Sequence, residues 1–219
     1  MYDKQTLIDK IEFYQGQMDY ADMMETAAFG LGYDEDHDVI KLALEEWAKA
    51  NEQRAYFQSL LDEILAEEAR WEARKKAYPE ATTVWLYLKD LGYNDYVCAG
   101  ILGNMMAECG GNTLNLKTTV ISGDGNYYGI CQWSRGYTDV WGRDLEGQLK
   151  FLKGNIQYQF KTFGNLYKSG FTYKKFLALT SCHDAALAFA KVYERCGSGS
   201  YGVRQDNAMK AYNYYVSKK

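Results

Sequence analysis

Asn94-Asp95-Tyr96-Val97-Cys98-Ala99-Gly100-Ile101-Leu102-Gly103-Asn104-Met105-Met106-Ala107-Glu108-Cys109-Gly110-Gly111 is the stretch on which the reading of this chain turns. Asn94 stands where a side-chain oxygen caps a helix. Val97, Ile101, Leu102 and Met105 follow at steps of three and four, and the glycine pair ends the run. The spacing predicts an inward-facing helix from Asp95 to Glu108. That helix leaves one carboxylic acid, Glu108, in its last turn, beside Met105 and Met106 and ahead of glycines that let chain or ligand come close. Cleavage of a glycosidic bond needs an acid still protonated near neutral pH, able to give its proton to the departing oxygen. Burial and the negative end of a helix both favour the neutral form. A glutamate in a last turn is also a common solvated surface group, so position alone leaves both readings open.

Working outward, a helix over about 80 to 90 should stop at Gly92. Residues 111 to 128 carry β-branched side chains and a Gly-Asp-Gly turn without helical period, which predicts a loop or a small hairpin. Further helices are expected near 144 to 158, 172 to 179, 183 to 195 and 203 to 216, the third opened by the capping box Ser181-Cys182-His183-Asp184. Upstream, Leu7, Ile11, Tyr14, Met18 and Ala21 form one apolar stripe. After a turn around Gly30, Gly32 and the acidic run Asp34 to Asp38, a heptad-like series follows: Ile40, Ala43, Trp47, Ala50, Phe57, Leu61 and Ile64, interrupted once by Arg54. Pro79, the single proline, marks the junction. The expected fold is mainly α: an acidic helical hairpin over 1–77, then a helical domain over 78–219 with a small loop or β element. The hairpin is either an attachment or oligomerisation element or simply two helices packed together.

The net charge of −4 hides an asymmetry. Residues 1 to 80 hold 9 Lys and Arg against 19 Asp and Glu, net −10, whereas the rest hold 16 against 10, net +6. A basic half suits a polyanion such as an acidic wall polymer or nucleic acid. The absence of a basic motif or an aromatic-basic repeat argues against nucleic acid. Five cysteines without CxxC spacing, beside only two histidines, argue against a zinc site and against a disulfide framework, and no metal or cofactor is expected. No stretch is apolar enough for a membrane span, and the first residues lack the apolar core of a classical signal peptide. The 20 tyrosines suit stacking on sugars, and equally a Tyr-rich core rim.

Three segments together resemble the phage tail lysozyme family. They are Gly100-Ile101-Leu102-Gly103-Asn104-Met105-Met106-Ala107-Glu108-Cys109-Gly110; Tyr128-Gly129-Ile130-Cys131-Gln132-Trp133; and Phe189 with Tyr193-Glu194-Arg195, followed by Arg204. They occur in the family's order over about residues 82 to 216. The resemblance implies a lysozyme-like helical fold acting on peptidoglycan, with Glu108 as general acid on the MurNAc-GlcNAc β-1,4 bond. It also implies Gln132 as a hydrogen-bonding partner of an N-acetyl or hydroxyl group, Trp133 packed beneath the cleft and Tyr128 beside the sugar. Two departures are Cys109 where the family usually has Ser after the glutamate, and Cys196 where a Pro often follows the Tyr-Glu-Arg triplet.

Asp124, in its Gly-Asp-Gly turn, is the expected second carboxylate, with Asp139 and Asp144 as alternatives and a purely local turn role equally open. Without a second acid, a lytic transglycosylase follows, with Tyr193 steadying the oxocarbenium-like species. Two other classes compete: a non-catalytic peptidoglycan-binding or tail-assembly module, and a wall endopeptidase using Cys98, Cys109 or Cys131 with His183. The family resemblance implies action at a virion tail or at the extracellular wall. The partners expected are peptidoglycan and, through residues 1–77, phage tail proteins or a second copy.

Overall fold

The computed structural model describes residues 2–164 and 170–216, in two compact units, Met1–Ala73 and Arg74–Lys219.

The first unit is an antiparallel helical hairpin. Helix α1 (Lys4–Gly30) is capped by Asp3, whose carboxylate accepts from the Thr6 amide at 2.8 Å. Gly32, at φ +86°, turns the chain into α2 (Asp38–Ala77). Leu7, Phe57 and Leu61 form the buried core of the pair, with Tyr14 stacked on Phe57 at 5.8 Å. Lys4 meets Glu68 at 2.9 Å and ties the two open ends together. Arg54, which breaks the heptad pattern, is half-buried. Between the helices lies an apolar groove of about 590 Å³, lined by Phe13, Tyr20, Ala21, Met24, Leu42 and Ala43 among others. Phe13, Tyr20, Met23 and Leu31 are among the large apolar side chains of this unit that stand well out into solvent.

The second unit is built around α4 (Asp95–Cys109). Asn94 caps it as the sequence predicts, accepting from the Val97 amide at 3.0 Å. Eleven of its fifteen residues are buried, more than the inward stripe read from the sequence, because α3 (Pro79–Asp90), α7 (Cys182–Phe189) and α8 (Tyr201–Val216) enclose it. Two glycines permit that enclosure. A Cβ on Gly100 would lie 2.6 Å from the Ala185 backbone, and one on Gly103 would lie 2.4 Å from the Ala208 nitrogen. The helix-propensity cost of each glycine, about 1 kcal/mol, is offset by backbone-to-backbone packing that no larger residue allows. Asn104 then ties α4 to α7 and α8: its amide donates to the carbonyls of Gly100 (2.8 Å), within α4, and Ala186 (3.0 Å), and its oxygen accepts from Arg204.

The region expected as a loop or small hairpin contains both. Strand β1 (Tyr127–Tyr128) pairs antiparallel with β2 (Trp133–Ser134), and Ile121 makes a single bridge to Tyr128. Buried Gln148, on α5 (Leu145–Phe163), anchors this ribbon. It accepts from the Ile130 amide at 2.8 Å and donates to the Thr118 carbonyl at 2.7 Å. A short α6 (Tyr173–Leu177) precedes α7, which Ser181 caps by accepting from the Asp184 amide. The helix expected over 183–195 changes character at Ala190. Residues Ala190–Glu194 form a π-helical turn, closed by Arg195 in the left-handed region at φ 55°. None of the described helices is long and apolar enough to cross a membrane, and no group of metal-ligating side chains is assembled among the described residues.

Candidate active site

Three elements converge on one charged cluster: the end of α4, the end of the π-helical turn, and the first turn of α8. Glu108 comes from α4, with its side chain 18% exposed, and forms an ion pair with Arg204 of α8, whose side chain is 7% exposed. Arg204 is fixed from two further directions, donating to the Asn104 oxygen at 3.1 Å and to the Ser200 hydroxyl at 3.2 Å. A charge-assisted pair in so little water is strong and directional.

The third member is Glu194. Burial pushes its carboxyl well above the usual carboxylate range; the negative charge of Glu108 pushes it further, against the opposing pull of Arg204, the Cys131 side chain and Arg195. One of its oxygens, Oε1, is buried without a hydrogen-bond partner. Glu108 pairs with Arg204, and the carboxyl that its surroundings drive toward the neutral form is that of Glu194, on the π-helical turn. The reason is physical: ionising a carboxyl away from water is costly, and more so near another carboxylate.

Glu194 also forms part of the wall of a cavity of about 100 Å³, with Gln132, Trp133, Tyr137, Asn155 and Tyr193; Glu108 is not part of that wall. Here a relay of hydrogen bonds fixes the aromatic side chains. The Trp133 indole donates to the Tyr193 hydroxyl at 3.1 Å, and that hydroxyl donates to Asn155 at 2.7 Å. Both rings are buried, Trp133 edge-on to Phe151 and Tyr193 stacked on Phe189 at 4.5 Å. Gln132, with φ +46°, turns its amide back to the carbonyls of Gly129 (3.0 Å) and Val120 (3.3 Å).

Tyr128 is placed differently from the expectation. It is buried against Trp141 and its hydroxyl donates to the Arg143 carbonyl at 2.6 Å, whereas the neighbouring Tyr127 is exposed and lines the cavity. Strand alternation explains the exchange, since adjacent residues face opposite sides. Asp124 is exposed, and its polar contacts are all within its own turn, to Ser122 and to the amide and side chain of Asn126. Those hydrogen bonds hold its carboxyl below the usual range. Asp144 caps α5 by accepting from the Gly147 amide at 2.9 Å, and Asp139 is exposed.

The cysteines proposed as nucleophiles, Cys98, Cys109 and Cys131, sit in surroundings that oppose thiolate formation. Burial pushes the thiols of Cys98 and Cys109 up to about 12, and that of Cys131 upward with added repulsion from Glu194 and Glu108. A nucleophilic thiolate needs the opposite environment. Sequence reasoning missed Glu194, Asn155, Tyr137, Gln159 and Tyr127 as site residues. Glu194 alone carried a signal, as the middle residue of the Tyr193-Glu194-Arg195 triplet that resembles the family's C-terminal motif.

No curated protein matches the chain. Residues 79–215 match the phage tail lysozyme family. That span is more than half of the chain and contains the charged cluster, the ribbon and the cavity wall, so the chain belongs to the phage tail lysozyme family.

Proposed function

We propose that the chain cleaves the glycan strands of peptidoglycan by muramidase-type hydrolysis of the MurNAc-GlcNAc β-1,4 bond, with Glu108 as general acid. The single observation that carries this reading is the cluster of Glu108, Glu194 and Arg204. It holds two carboxyls and one guanidinium in a place that favours retention of one proton, and a proton is what the departing glycosidic oxygen requires. Trp133, Tyr193 and Gln132 supply aromatic and amide surface at the adjoining cavity. Asp124, kept ionised by its turn, is the proposed second carboxylate, acting on the oxocarbenium-like state or on the attacking water. Membership in a tail lysozyme family fits a virion tail location. There the hairpin of residues 1–77, with its apolar groove, would serve as the attachment to tail proteins or to a second copy.

The ion pair between Arg204 and Glu108 favours a second reading, a glycan-binding module without turnover, because an acid locked to a guanidinium gives up no proton. Clearing of a peptidoglycan suspension separates the two. Hydrolysis by the wild type, lost in Glu108→Gln with the fold retained, supports the enzyme. Pelleting with the wall without any drop in turbidity supports the binding module. Equal clearing by Glu108→Gln rules out Glu108 as the acid.

A further inference from the structure

Charge is spread unevenly along the helical hairpin. Residues 12 to 46 hold ten Asp and Glu against one Lys, net −9, whereas residues 1 to 11 and 47 to 77 together hold eight acids against eight Lys and Arg, net 0. The one cation of the middle span, Lys41, is paired with Asp36 at 3.2 Å. The residues that line the apolar groove, from Glu12 to Glu46, all lie in that acidic span. We propose that the groove is the docking site for a basic amphipathic helix of a second protein. This inference rests on the reading of residues 1–77 as an attachment element and names the chemistry of the partner.

Three observations select that occupant. The first is charge. The groove joins apolar side chains, of which Phe13, Tyr20 and Leu42 are each more than half exposed, to one exposed carboxylate from each helix, Glu12 of α1 and Glu46 of α2. Glu46 also meets Lys49 at 2.9 Å, on the surface. A partner with an apolar stripe flanked by Lys or Arg matches both features. A second copy would bring the same −9 span against this one, and an anionic membrane surface would be repelled by it. The second is shape. The lining positions of α1 recur on one face from Glu12 to Met24, over about three turns or roughly 18 Å. Both walls are helices whose backbone groups are bonded internally, so an extended peptide would find no ladder to pair with, whereas a helix satisfies its own.

The third is Gly16. Glycine inside a helix is destabilising relative to alanine. In α4, Gly100 and Gly103 are explained by neighbours that leave no room for a side chain. Gly16 lines the groove, and the hairpin places nothing within 4 Å of the position its Cβ would take. Packing within the hairpin therefore does not call for a glycine there. A helix lying in the groove does, since it gains the close approach that Gly100 and Gly103 give to α7 and α8. Burial of the apolar stripe then supplies most of the affinity, and the carboxylates set orientation and salt dependence.

The test uses the full chain and a synthetic peptide of about 18 residues with leucines at helical spacing on one face and lysines on the other. Two controls accompany it: the same composition in scrambled order, and glutamates in place of the lysines. Calorimetric titration at about 50 and 300 mM salt gives the affinities, and backbone amide shifts give the site. The amphipathic lysine peptide should bind one per chain, weaken with salt and move the amides of residues 12–24 and 42–46; the scrambled peptide should bind at least about tenfold more weakly, and the glutamate peptide not at all. Gly16→Leu fills the groove without changing its charge, and should cost about tenfold or more in affinity with helical content unchanged by circular dichroism. Glu12→Gln with Glu46→Gln should reduce the salt dependence. Equal binding of the scrambled peptide, or undiminished binding by Gly16→Leu, would reduce the effect to diffuse charge attraction and overturn the proposal. Sedimentation of the chain alone separates the two levels of the argument. A dimer abolished by Gly16→Leu would overturn the proposal in favour of a second copy and leave the hairpin as an attachment element, whereas a monomer that binds none of the three peptides would remove both.

Discussion

Arg204, rooted in the first turn of α8, donates to the carboxylate of Glu108 at the far end of α4, and so joins the last helix of the domain to its most buried one. Removing one partner of a buried pair leaves the other without a counter-charge, which costs more than the pair itself contributes. Arg204→Ala should therefore lose roughly 3–5 kcal/mol at pH 7. Urea unfolding of the two proteins at pH 7 measures the difference.

The contact of Gly103 with the Ala208 backbone gives a sharper steric test. Gly103→Ala places a methyl group 2.4 Å from the Ala208 nitrogen, in a contact made by backbone that cannot rotate away. The expected destabilisation is about 1–3 kcal/mol or more. Gly16, in the interior of α1 with nothing within 4 Å of its would-be Cβ, should respond in the opposite sense. Gly16→Ala should stabilise its unit by about 0.5–1 kcal/mol. Differential scanning calorimetry of the two variants reads out both signs.

Asn104 makes three hydrogen bonds across α4, α7 and α8 while fully buried. Asn104→Ala leaves the Ala186 carbonyl without its side-chain donor and frees Arg204 to move. A loss of about 2–4 kcal/mol is expected. Hydrogen exchange should show the start of α8 opening before the rest of the domain.

The pH dependence of stability has a definite sign. Folding raises the Glu194 carboxyl above its unfolded value of 4.5, so the folded state holds a proton that the unfolded state releases. That contribution is fully present below pH 4.5 and is lost as the pH rises through the folded value. Unfolding free energy of the wild type should carry this decline from weakly acidic toward alkaline pH, and Glu194→Gln should flatten it. Denaturant titrations at a series of pH values compare the two slopes.

Much of the helical frame was legible because its signals are local. Asn94 and Ser181 cap the helices they were expected to cap, and Gly110 closes α4. The mainly α class follows from the helical period running through most of the chain, and the family match from three motifs in order. The site was harder to read because its decisive relations are long-range. Nothing local in Arg204 says that it reaches a residue 96 positions earlier. Nothing in Tyr193-Glu194-Arg195 signals a π-helical turn, whose extra residue sets the direction in which Glu194 points. The exchange of Tyr128 for Tyr127 at the cavity reflects strand register, which a two-residue ribbon is too short to display as alternation. Asp124 was placed correctly in a turn, and its hydrogen bonds within that turn are those a turn aspartate makes.

Mass spectrometry of the fragments released from purified peptidoglycan, by the wild type and by Glu108→Gln side by side, bears most directly on the role of Glu108. Disaccharide-peptides ending in reducing MurNAc should appear with the wild type and be absent with Glu108→Gln. The same fragments released at the same rate by both proteins would contradict the assignment.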